Sequence, residues 1–96
     1  PKSGFMANNQ AKVAADAVIA LLTGRTVNPE PILANTCYSF VSDTDVVHVA
    51  SVHKYDAKEK TLVPVPGAGG LSPEANAAEG IYARAWARNI WADMLL

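Results

Sequence analysis

Thr36 to Tyr55 reads TCYSFVSDTDVVHVASVHKY. β-Branched and aromatic residues dominate its two ends, Thr36–Val41 and Val46–Tyr55, as they do in strands. Between them Ser42-Asp43-Thr44-Asp45 carries side chains that bond to their own backbone and favour a turn. The stretch predicts an antiparallel hairpin. The turn-like DAKEK leads to a third strand in TLVPV, where Pro64 lacks an N–H for a ladder and argues for an edge.

Helices flank this sheet. Upstream, Phe5 to Thr23 is alanine-rich, with Ala11, Ala14, Ala15, Val18, Leu21 and Leu22 at helical spacing. Asn9, Lys12, Asp16 and Thr23 form its narrow polar face, and Lys12 and Asp16 are an i,i+4 pair. Gly24 follows where a left-handed cap ends a helix. RTVNPEPI, with Pro29 and Pro31, is an extended connector. Downstream, PGAGGL reads as a flexible loop, and Ser72, Pro73 and Glu74 match an N-cap, a first-position proline and a first-turn acid. The helix starting there runs to the end, with a candidate interruption at Gly80. Tyr82, Trp86, Ile90 and Met94 form one row, Ala83, Ala87 and Trp91 another. Aromatic rows of this kind usually pack into a core. The fold class expected is α+β: a three-stranded antiparallel sheet with an N-terminal and a C-terminal helix.

Composition narrows the function. Half of the 96 residues are apolar and 18% are charged, against roughly a quarter charged in an average domain. Such a chain has more apolar surface than its own bulk hides, and the expectation is an interface or a longer parent chain. It opens at Pro1 without an initiator Met, and the reading is a piece of something longer or a mature product. The net charge is −1 and the eight Lys and Arg are not clustered, so no nucleic-acid partner is expected. The longest apolar run, Ala17 to Leu22, is far shorter than the ~20 residues of a membrane span.

The residues that carry chemistry are few. His48 and His53 are five apart in one strand, on opposite faces of a regular pleat, and do not share a metal. The reading is two ordinary histidines, one in and one out, and no metal site. Cys37 is the only cysteine, so any disulfide reaches outside the chain. A Cys-His pair across the hairpin is geometrically possible, yet no third group orients it and no oxyanion site is evident. The residues alone leave Cys37 as either a buried structural thiol or a reactive one. GAGG matches no phosphate-binding fingerprint and reads as a linker. Lys2-Ser3-Gly4 precedes a helix whose N-terminal N–H groups attract an anion; a plain surface lead-in is the other reading.

PKSGFMANNQAKVAADAVIALLTGR, NTCYSFV, VVHVASVHKYD and AWARNIWADM, in this order, resemble the C-terminal region of the flavoprotein subunit of flavocytochrome c sulfide dehydrogenase. PKSG with ANNQAKVAA, and NTCYS, are the most specific segments. The resemblance implies an interface-type domain of a glutathione-reductase-like flavoprotein, with 1–25 as a flavin-proximal helix and 26–96 as the interface domain. It implies that Lys2, Ser3, Gly4 and Phe5 lie beside FAD, which is bound mainly by other parts of the parent chain. It further implies that Cys37 is the catalytic member of a redox disulfide with a cysteine elsewhere, and that electrons pass from sulfide to haem c on a c-type cytochrome subunit. Phe5 and Trp86 are similar to residues between flavin and haem; relatives often have tyrosine where Phe5 stands, so no hydroxyl role follows. The family implies the periplasm. The isolated chain is expected to be inactive and to self-associate. A sulfide:quinone oxidoreductase relative and a non-catalytic oligomerisation module are the alternatives.

Overall fold

The computed structural model describes residues 1–95; Leu96, assigned above to the last helix and the 26–96 segment, lies outside the described residues. Helix α1 (Gly4–Thr23) is followed by strands β1 (Ile32–Phe40), β2 (Val46–Asp56), β3 (Thr61–Pro64) and the short β4 (Gly70–Leu71), then by helix α2 (Ala77–Leu95). The sheet runs β1-β2-β3, with β4 also pairing with β2. The architecture is α+β, as the residue pattern predicts. The chain forms two compact units, one of Pro1–Cys37 and Ala50–Gly70, the other of Tyr38–Val49 and residues 71–95.

In the first unit, Ser3 caps α1 by accepting the Met6 N–H through its side chain at 3.0 Å. Gly24 ends the helix at φ 73°, donating its N–H to the Ala20 carbonyl. Met6 and Ala20 are the buried residues of α1, with Val13 and Ala17 half-buried between them. The row Ala11, Ala14, Ala15, Val18, Leu21 and Leu22 is exposed instead. That row marks the helix in the sequence, as observed, and its spacing alone does not say which face turns inward. β2 and β3 pair antiparallel, His53 opposite Pro64 and Tyr55 opposite Leu62. Pro64 therefore sits on the sheet's outer strand, consistent with its missing donor. The Asp56 carboxylate accepts the Lys58 and Glu59 N–H groups at 2.8 and 3.0 Å, which closes the intervening turn.

In the second unit, the Ser42 hydroxyl accepts the Thr44 and Asp45 N–H groups, and the Val41 N–H reaches the Asp45 carbonyl at 2.9 Å. This is the expected hairpin turn. Helix α2 starts at Ala77, not near Ser72. The correction has a clear cause, because segment 71–76 returns along β2 through a bend at Pro73-Glu74: Ser72 N–H bonds to the His48 carbonyl, and Asn76 and Val46 exchange both backbone hydrogen bonds. Asn76 then caps the helix by accepting the Glu79 N–H at 2.9 Å. PGAGGL likewise ends in strand β4 and is not a plain flexible loop. Gly80 does not interrupt α2. It lies against the Thr44 carbonyl, where any Cβ would collide. Gly80 and Ala83 form the buried face of α2, whereas Tyr82 and Met94 are exposed, so the aromatic row is only partly inward.

Candidate functional site

Strand alternation puts Leu33, Asn35 and Cys37 on one face of β1. Leu33 and Asn35 are each 3% exposed, and Cys37 is half-buried with a free thiol. A buried amide is costly unless its groups are paired. Asn35 is paired twice. The Ser3 hydroxyl donates to Asn35 Oδ1, and Asn35 Nδ2 lies 3.4 Å from Cys37 Sγ. Ser3, Asn35 and Cys37 thus form a line from the N-terminus of α1 to the only thiol.

Lys2 and Gly4 are exposed on either side of Ser3, and Phe5 is half-buried. The first turn of α1 contains no acidic residue. With Lys2 adjacent, this end is electropositive and can receive an anionic or electron-rich group. Trp86 belongs to the second unit, edge-on to Tyr38 with ring centroids 5.6 Å apart. Sequence reasoning brought out Ser3 and Cys37 and missed Asn35. The signal was there: a polar residue between Leu33 and Cys37 on one face of the strand.

A second cluster escaped notice altogether. Ser72 Oγ lies 2.5 Å from Glu79 Oε2 and 2.8 Å from His48 Nδ1, and His48 Nδ1 is 2.8 Å from Glu79 Oε1. Ser72 Oγ also accepts the His48 backbone N–H at 2.8 Å. The proton count assigns the roles. The single hydroxyl proton goes to the carboxylate, so Nδ1 must carry hydrogen toward Ser72 and Glu79. A histidine that donates on the serine side cannot take the serine's proton, and the trio is a clamp, not a hydrolytic triad. The Ser72 hydroxyl holds the Glu79 carboxyl below its ordinary value, burial opposes this, and His48 adds a hydrogen bond and its charge in the lowering direction. His53 is buried, with no hydrogen-bond partner for its Nδ1.

An α+β domain that sets a thiol on a strand beside an electropositive helix start can bring thiol chemistry next to an anionic or electron-rich group. Residues 29–95 match the family described as "Flavocytochrome c sulphide dehydrogenase, flavin-binding". The chain belongs to that family and carries its flavin-binding domain. The matched stretch contains Cys37, the Ser72–His48–Glu79 clamp and Trp86; α1 precedes it.

Proposed function

We propose that the chain is the C-terminal flavin-site and interface domain of a sulfide dehydrogenase that delivers electrons from sulfide to a c-type cytochrome in the periplasm. Residues 1–25 form its flavin-proximal helix and 26–96 its interface domain. One observation supports this reading above others. The two segments that most resemble the family, PKSG and NTCYS, are joined in the first unit by the Ser3–Asn35–Cys37 line.

The residues present suit a flavin by their chemistry: an exposed Lys2, helix amides and no acid in the first turn of α1. Lys2, Ser3, Gly4 and Phe5 are the residues that would hold it. A bound FAD supplies the two-electron acceptor. The helix end contributes about 0.3–1 kcal/mol toward negative charge placed against it. Phe5 and Trp86 serve as apolar packing positions toward the flavin and toward the cytochrome that carries haem c.

Cys37 is one half of a disulfide whose other cysteine lies outside this chain. Hydrosulfide attack breaks the S–S bond, leaving a persulfide on one sulfur and a thiolate on the other. Asn35 and β1 hold the Cys37 sulfur in place during this exchange. Replacing Cys37 tests the assignment. In the full-length flavoprotein, Cys37→Ser is expected to keep the flavin bound while sulfide-dependent bleaching of its absorbance slows by about a hundredfold or more. Bleaching at the parent rate in anaerobic stopped flow rejects the assignment.

A further inference from the structure

We propose that Asn35 is a positioning residue for the Cys37 sulfur, its amide oriented by Ser3 so that the N–H end favours the reduced, anionic sulfur over the disulfide. This rests on the reading of Cys37 as half of a redox disulfide.

The orientation follows from hydrogen-bond supply. Ser3 Oγ already accepts the Met6 N–H at 3.0 Å, and its own proton goes to Asn35 Oδ1. The carbonyl end of the amide therefore faces Ser3, and Nδ2 is left at 3.4 Å from Cys37 Sγ. The Sγ-to-Oδ1 separation is longer, 3.7 Å, so an S–H has only a weak acceptor there. With 3% of its surface exposed, Asn35 cannot exchange these partners for water. A hydrogen bond to an ionised sulfur is roughly twice as strong as one to a neutral group, and a disulfide sulfur is neutral. The fixed donor thus stabilises the reduced state selectively, the same logic by which a stabilised reduced form makes a dithiol pair more oxidising. The helix cap and the thiol site are one network, and a change at Ser3 reaches Cys37 through Asn35.

The test is redox titration of the full-length flavoprotein in glutathione buffers, with the disulfide fraction read by alkylation and peptide mass. Asn35→Asp keeps the acceptor that receives the Ser3 hydroxyl but turns the donor into an oxygen, so a merely structural link survives it. The expected result is a roughly tenfold loss in the equilibrium constant for reduction, about 30 mV toward more negative potential. Ser3→Ala, which frees the amide to turn, shifts the constant in the same direction by less. Should Asn35→Asp fail to fold, Ser3→Ala decides. An unmoved constant in a variant that still binds flavin overturns the proposal while leaving the disulfide assignment intact. A Cys37 that maps as a free thiol in the oxidised parent protein overturns both.

Discussion

Glu79 gains its low proton affinity from neighbours that need its charge: the Ser72 hydroxyl first, opposed by burial, then the His48 ring. Its position in the first turn of α2 adds the favourable end of the helix dipole. A carboxyl depressed in the folded state contributes stability that is complete above the unfolded glutamate range and is lost as pH falls through the lower folded value. Glu79→Gln, which keeps an acceptor but removes the charge, is therefore expected to unfold at lower urea than the parent chain at pH 7. As pH falls below about 4.5, the ordinary glutamate value, the difference should shrink toward zero. Urea midpoints across pH 3 to 7 check this; a gap that persists at the acid end would mean that shape, not charge, holds the clamp. None of this was legible beforehand. Ser72 and Glu79 are seven residues apart, and His48 is more than twenty residues earlier, so only the path of segment 71–76 along β2 brings them together. Asn35 was legible, because strand alternation alone puts it inward beside Cys37.

Helix α2 shows where periodicity reads well and where it misleads. Its existence followed from the 3.6-residue pattern, but Ser72-Pro73-Glu74 imitated its start. A local cap signal competes with tertiary hydrogen bonding, and here the strand edge of β2 took the Ser72 and Asn76 backbones first. In the sequence Gly80 is a candidate interruption of α2, and Gly in a helix interior costs about 1 kcal/mol relative to Ala. Packing reverses that expectation. Gly80 meets the Thr44 carbonyl backbone so closely that a methyl group has no room, and backbone does not swing aside as a side-chain tip does. Gly80→Ala should therefore destabilise the chain, overpacking of about 1–3 kcal/mol exceeding the helix gain. The denaturant midpoint is expected to fall; a rise would show that the Ser42–Asp45 turn yields easily. Arg84 adds a check on the same contact, as it donates to the Asp43 carbonyl and lies 5.2 Å from the centre of the Phe40 ring. A helix displaced by the added methyl would be expected to lose both.

Across the described residues, Met6, Ala20, Leu33, Val46 and Ala83 make up the buried apolar set, while Val18, Ile19, Leu21, Leu22, Trp91 and Leu95 are among the large apolar side chains more than half exposed. The low charge content of the sequence foretold this imbalance; which helix faces carry it was not foretold, since α1 is apolar on both sides. Burying one leucine side chain fully is worth about 1.5–3 kcal/mol. Leu21 and Leu22, 72% and 81% exposed, leave much of that gain unrealised in the chain alone. In the proposed parent flavoprotein other segments cover such surface; in solution by itself, only another copy is at hand. The 10.1 kDa chain is thus expected to scatter light as a dimer or larger species at high concentration. Replacing Leu21 and Leu22 by lysine should weaken association at least about tenfold, the equivalent of 1.4 kcal/mol. Thr23 and Gly24 still terminate α1 in that variant, so circular dichroism should be unchanged while the mass falls toward the monomer. A 96-residue chain that stays monomeric at millimolar concentration would mean that the outer face of α1 is too flat or too mobile to pair, and that its apolar character answers only to other segments of the proposed parent flavoprotein.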